Sequence, residues 1–492
     1  MRIFLLWAEK PGNLDLRILL KEFKSAGHTL SYFVGYTGAE NLVSDETVFH
    51  SYQDAINGKP AERFSSTQFA PLDEETIRAF YHTESIVLSM MNRFFDKVPV
   101  DERKRRYYEL LRYWLGVFRE LKPGAVLFPN MPHFVYDYIS YEVAKYLGVI
   151  TLFFDDTRFP GRLLVLRDLS QGSERFKEEQ TKVVSETVTV DDLAPDIRGY
   201  YESRSNKGFT AVPSYIADQK KKYSLFHKLF PIEQVRKSGK GMKAFLSAPG
   251  YARALVREHL PEIKMKIRDT LTYPFVHNLK TEYERVATIP DFSRPYVYFP
   301  LQKQPERTTS PQGDMFVDQL LALEILSASL PVGVTIFTKE HPLQWPHFGI
   351  GFSSFRYRGF YERIARIPHI VIVPVNTSSY ALINGALAVS AVTGSAGFEA
   401  VLRGKPAVIF GTVWYEDCPG IFKVQSVASA KDAFLRIQNG GGPEQKRIIQ
   451  YLKAFERASI VAYISSTAGK ASNVSKEECM KNIAKAVVNE LA

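Results

Sequence analysis

Five short stretches carry side chains that could do chemistry. In TKEHPLQWP (338–346), Lys339, Glu340, His341 and Pro342 follow an apolar run, VGVTIF (332–337), that reads as a buried strand. A histidine there is either a helix cap or packed polar group, or it is presented to a ligand. In the second case its imidazole could bond a phosphate oxygen and assist a leaving group. In VTGSAGFEAVLRGKPAVIFG (392–411) a strand runs into Thr393, Gly394 and Ser395, and a helix starts at once. Gly394 and Gly397 would let the backbone approach a ligand, and Ser395 could cap the helix or bond an anion. Free N–H groups at a helix start favour phosphate. Glu399 stands about one turn later on the same face and could take ribose hydroxyls. The same residues also fit a plain cap beside a surface glutamate. NTSSY (376–380) is a third turn of this type, with Ser378 and Ser379 either as caps or as phosphate donors.

FFDDTRFPGR (153–162) ends an apolar run in Asp155 and Asp156. Neighbours on a strand point to opposite faces, so one of the two would face a cleft, as general base or nucleophile. A turn explains the pair as well, and no further ligands cluster nearby to make it a metal site. PLQKQPERTT (300–309) places Gln302, Gln304, Glu306 and Arg307 just after another strand, as a ligand loop or an ordinary surface loop.

These side chains need a frame. Strand signals at 2–9, 29–36, 125–129 and 149–156 alternate with helical spacing at 14–27, 73–121 and about 134–147. A second alternating series runs through strands at 295–300, 334–340, 369–374, 386–394 and 405–411. Alternation of this kind predicts an α/β chain with open parallel sheets and helices on both faces, ligands sitting at the carboxyl ends of the strands. The expected organisation is an N-terminal Rossmann-like domain over 1–170 and a charged, largely helical connector or insertion over 171–290. A second Rossmann-like domain over 291–465 and a C-terminal helix over 466–492 complete it.

With 492 residues, 45 % apolar and 24 % charged, the chain can bury a sizeable core. No apolar run approaches the ~20 residues of a membrane helix. Two cysteines, Cys418 and Cys479, exclude a disulfide framework or a cysteine zinc site and fit a reducing cytoplasm. The net charge is +10, and residues 220–268 alone hold thirteen Lys or Arg against three acids. That segment, with apolar residues interleaved, is either a solvated helical face or a surface for anionic membranes or a polyanion. No nucleic-acid motif accompanies it.

Taken together, PLQ, KEHP, SS, TGSAGFEAVLRGKP and the following FG with Trp414-Tyr415 resemble the capsule polysaccharide biosynthesis proteins, a family that includes Kdo transferases. The resemblance is good over 295–420 and reaches FDDTRF in the first domain. It implies a GT-B glycosyltransferase: two Rossmann-like domains facing a cleft, acceptor on the first, nucleotide sugar on the second. The implied donor is a CMP-activated ulosonic acid such as Kdo, used without metal or cofactor, and the implied acceptor is lipid-linked or a glycan. Bacterial sialyltransferases have a related order of acidic pair, His-Pro and Ser-Ser. On that likeness His341, Ser378, Ser379 and Ser395 would hold the CMP phosphate, with Gln302, Lys339, Pro342, Thr393 and Gly394 in the same loops. Glu399 would hold the nucleoside and Asp156 would be the catalytic carboxylate, with Arg158 beside it. Thr157 stands where the family's acidic motif has glycine, and Glu340 where other members often have proline. A glycerophosphotransferase using a CDP donor, or a non-catalytic polysaccharide export scaffold, are the other readings. The expected location is cytoplasmic, peripheral at the inner face of the membrane.

Overall fold

The computed structural model describes residues 1–9, 13–157, 159–208, 278–345 and 353–492. The basic segment 220–268 and Arg158 lie outside the described residues. Two sheets organise the chain. The first contains β1 (Arg2–Leu6), β2 (Thr29–Gly35), β3 (Val48–Ser51), β4 (Ala125–Leu127), β5 (Ile150–Asp156), β6 (Arg162–Leu166) and β13 (Ile460–Val461). Its order is β13-β6-β5-β4-β1-β2-β3. β1 to β5 pair in parallel, while β6 folds back antiparallel on β5 and β13 pairs antiparallel with β6.

The second sheet contains β7 (Tyr296–Pro300), β8 (Thr335–Lys339), β9 (Ile370–Ile372), β10 (Ala388–Ala391), β11 (Ala407–Ile409) and β12 (Ile421–Lys423). All its pairings are parallel and its order is β12-β11-β10-β7-β8-β9. Counted within that domain, this is the 3-2-1-4-5-6 winding of a Rossmann domain. The parallel part of the first sheet winds as 3-2-1-4-5 by the same count. Two Rossmann-like domains that meet across a cleft are the GT-B arrangement.

Burial explains the strand composition. Ile3, Phe4, Leu5 and Leu6 are all buried, as a parallel strand covered on both faces requires. One face of the first sheet, through Phe4, Phe153 and Leu164, packs into a core that runs on to Phe398 and Trp414 of the second domain. The other, through Leu5, Phe154 and Leu163, packs under the helix Lys476–Leu491. That helix buries Cys479, Ile483 and Val487, an apolar stripe at helical spacing, against the first domain.

Toward the C terminus, the helix Gln445–Ala458 packs on the helix Glu174–Val183 and meets Phe159 through Phe455, and β13 pairs with β6, so the chain returns to the first sheet ahead of the expected C-terminal helix over 466–492. A two-residue strand has no readable periodicity, which hid that return. The expected helical middle region has helices at Glu174–Val183, Pro195–Ser205 and Leu279–Val286 among the described residues.

Candidate functional site

In the second sheet the winding reverses between β7 and β10, and such a switch point opens a ligand crevice beyond the strand ends. The loops after these strands meet there. Gln302 Nε2 donates to Thr393 Oγ1 at 3.0 Å, and the Thr393 amide donates to Gln302 Oε1 at 3.0 Å. The loop after β11 closes tightly on the same point: a Cβ on Gly411 would lie 2.4 Å from Thr393 Cγ2 and 2.5 Å from the Gln312 carbonyl oxygen. Only glycine permits that approach.

At the carboxyl end of β8, Lys339 is buried. Its Nζ donates to the Thr377 carbonyl at 2.7 Å and to Ser379 Oγ at 2.6 Å. Since Tyr298 also donates to Ser379 Oγ, at 3.5 Å, the serine keeps its own hydrogen to give outward. The two serines thus divide: Ser378 caps the helix Ser379–Gly385, accepting from the Ala381 amide. Next to Lys339, the His341 ring accepts from the Leu343 amide through Nδ1 at 3.2 Å. Its proton is therefore on Nε2. Burial lowers the His341 pKa, opposed in part by the Glu340 and Glu306 charges, so the ring is neutral at pH 7. Pro342 is exposed and turns the chain.

Burial also lowers the Lys339 pKa from 10.5 to about 8. A depressed lysine is charged in the unfolded chain and neutral in the folded one between those values. Stability should accordingly rise with pH from about 8 to 10.5. Binding of an anion should do the reverse. With CMP, the nucleotide implied by the resemblance, affinity is expected to drop about tenfold per pH unit above about 8 until the pKa of the complex is reached. Lys339→Met should flatten that profile in calorimetric titrations; an unchanged profile would remove Lys339 from the site.

Ser395 does not cap its helix. It has helical backbone angles, and its hydroxyl donates to Glu399 Oε1 at 3.3 Å, one turn on. Gly397 is buried, with the Tyr415 hydroxyl 3.2 Å and Ile409 Cγ2 3.4 Å from where a Cβ would stand. It serves the packing of helix Ala396–Leu402 on β11 rather than access for a ligand. Gly394 is half-buried beside Gln302. The Glu399 charge helps raise the pKa of Tyr298 and of Tyr380, after burial, which places its carboxylate near the Lys339–Ser379 end of the crevice.

Glu340, read from sequence as a departure, is fully buried and pairs with Arg356, which is 1 % exposed. Arg356 Nε donates to Glu340 Oε2 at 2.6 Å, Nη1 to Gln304 Oε1 at 2.7 Å, and Nη2 to the Gln302 carbonyl at 3.3 Å. Tyr361 donates to Glu340 Oε2 at 2.6 Å, and the His341 amide donates to Glu340 Oε1 at 2.7 Å. Sequence reasoning missed Arg356. No local pattern marks it, and its side-chain partners Glu340 and Gln304 and the Gln302 carbonyl lie 16 to 54 residues away.

On the first domain, Asp155 and Asp156 take opposite faces of β5, as alternation demands. Asp155 is 4 % exposed and stands opposite Leu164. It lines a narrow pocket with Met131, Lys177, Gln312, Thr412 and Trp414. Asp156, half-buried, is the last residue of β5 at its carboxyl edge. His341 and Ser379 are not among the residues lining that pocket. The domains also touch where Ser354 donates its amide to Asp96 at 3.1 Å, and where Phe159 packs on Phe398 and Trp414. His133, in the loop after β4, donates through Nδ1 to the Met131 carbonyl at 2.9 Å. Burial, helped by Arg307 across the cleft, lowers its pKa to about 3. Its Nε2 is an acceptor that the sequence reading passed over. Among the described residues no group of three or more His, Cys, Asp or Glu is placed to hold a metal ion, and no helix is long and apolar enough to cross a membrane.

A family profile described as "Capsule polysaccharide biosynthesis protein" matches residues 195–437. A sequence search of curated proteins returned no match. Among solved structures, similar ones include the β-Kdo 2,4 transferase of Thermosulfurimonas dismutans KpsC. It is 12 % identical, with 74 % of this chain and 87 % of that one covered and a TM-score of 0.31. The β-Kdo 2,7 transferase of the same protein is 12 % identical over 76 % and 88 %, with a TM-score of 0.29. The UDP-GlcNAc 2-epimerase of Methanocaldococcus jannaschii is 11 % identical over 93 % and 98 %, with a TM-score of 0.24. At these TM-scores the fold assignment rests on this chain's own strand order and direction.

Proposed function

We propose, from the match of residues 195–437 to the capsule polysaccharide biosynthesis protein family, that the chain is a glycosyltransferase of surface polysaccharide synthesis. The donor is a nucleotide sugar, a CMP-activated ulosonic acid such as Kdo, and the acceptor is lipid-linked or a glycan. The observation that carries this reading is the gathering of Lys339, His341, Ser379 and the Gln302–Thr393 pair in the loops after the neighbouring strands β7, β8, β9 and β10. Lys339 supplies positive charge, and Ser379 and His341 Nε2 supply donors, to a phosphate that gains charge as the sugar leaves. Glu399 takes the nucleoside. Asp156, on the opposing domain, is the carboxylate that attacks the anomeric carbon or deprotonates the acceptor. Arg158, which the resemblance sets beside it, falls outside the described residues.

A thermal-shift screen against CMP, CDP and UDP tests the donor. CMP should raise the melting temperature most, because a ligand that binds only the folded state stabilises it. The response should persist in excess chelator, since Lys339 supplies the charge and His341 a hydrogen-bond donor. A UDP preference would change the donor, a CDP preference would favour a glycerophosphotransferase, and no response would favour a scaffold. His341→Ala and Glu399→Ala should each weaken the CMP response.

The charge of residues 220–268 suits an anionic membrane, where a lipid-linked acceptor would be met, each basic residue contributing on the order of 1 kcal/mol near the surface. Replacing Lys220, Lys221, Lys222, Arg236 and Lys237 with Gln should release the protein from anionic vesicles in a flotation assay. A wild-type protein that does not float at low salt would end the idea.

A further inference from the structure

We propose that Arg356, through its buried pair with Glu340, is a positioning residue that sets the geometry of the donor loops and thereby of His341. The inference rests on the donor-site reading above. One guanidinium touches the loop after β7 twice, at the Gln302 carbonyl and Gln304 Oε1, and the loop after β8 at Glu340. Glu340 passes the constraint on by holding the His341 amide. Gln302 passes it on by clasping Thr393 across the switch point. The Gln344 side chain stitches the first two loops together as well: its Oε1 accepts from the Gln304 amide at 2.8 Å and its Nε2 donates to the Gln304 carbonyl at 2.9 Å. The segment that carries Arg356 is itself fastened to the first domain by Ser354 and Asp96.

Two fully buried charges are a costly way to fill this space. Size-matched uncharged residues often hold such a site as well or better, so stability alone does not account for the pair. What apolar filling lacks is the planar fork, which fixes several acceptors in one arrangement at once. Phe360 lies under the guanidinium, 4.4 Å from Cζ to the ring centroid, and keeps the plane in place.

The test is a variant that removes both charges together, Glu340→Gln/Arg356→Met. It should stay folded, with a cooperative melt and a wild-type circular dichroism spectrum. Its CMP affinity by titration calorimetry should fall about tenfold or more. Adding His341→Ala to it should weaken CMP by less than about threefold, although His341→Ala alone costs more. Losses that are coupled in this way report one mechanism. Arg356→Lys, which keeps the charge and loses the fork, should fall between. A folded double variant that binds CMP as wild type does, or losses that simply add, would overturn the positioning role. If wild type binds no CMP, the donor-site reading fails first and this inference with it.

Discussion

Asp156→Asn is expected to lower transfer by at least ~10²-fold, the low end for removing a general base, while the fold and CMP binding survive. The carboxylate must reach the anomeric carbon or the acceptor hydroxyl, and Asp156 is the residue at the carboxyl edge of β5, half-buried and last in the strand. Asp155, 4 % exposed, lies on the face of β5 that turns to Gln312, Thr412 and Trp414 of the second domain, so the choice of Asp156 rests on the family resemblance, and on that likeness Asp155→Asn should cost less transfer. Single-turnover assays with a CMP-activated ulosonic acid separate the two. A dead Asp155→Asn enzyme beside an active Asp156→Asn one would move the chemistry to the face of Gln312 and Trp414. Two active variants would take the carboxylate out of this loop.

Glu340→Ala should destabilise the second domain by about 3–5 kcal/mol, the usual result of leaving a buried partner charge uncompensated. Arg356 would keep a protonated guanidinium at 1 % exposure. Burial opposes that charge, and Glu340 is what now more than offsets the opposition. The Tyr361 hydroxyl and the His341 amide would lose their acceptor as well. For a domain of this size the melting midpoint should fall by roughly 6–20 °C. Glu477→Ala, which breaks an exposed pair with Lys481, is the control and should leave the midpoint in place. A Glu340→Ala protein that melts with wild type would mean that water or another group replaces the carboxylate.

Much of this chain was legible before any fold was known. Runs such as RIFLL, and VGVTIF with the TK that follows it, became β1 and β8, because a strand covered on both faces is largely apolar. The spacing in 14–27 became the helix Leu16–Ser25, started by Asp15 as its cap. Positions at strand ends, including His341, Thr393 and Asp156, followed from the same patterns, and chain chemistry alone placed Lys339 beside His341. Four strands, β3, β6, β12 and β13, were lost; β3 and β12 are sheet edges and β6 and β13 run antiparallel, so they stand outside the main alternating series that marks the others.

Which loops meet was decided by the tertiary structure. Gln302 and Thr393 are 91 residues apart and become partners because β7 and β10 are neighbours at the switch point. Ser378 and Ser379 look alike in sequence, and only the reach of Lys339 from β8 makes one a cap and the other a donor into the crevice. Arg356 looked like any loop arginine until burial and Glu340 gave it a role. The physical reason is one of range. Strand and helix character come from side-chain spacing within a few residues, whereas the crevice comes from sheet order and packing between segments far apart in the chain.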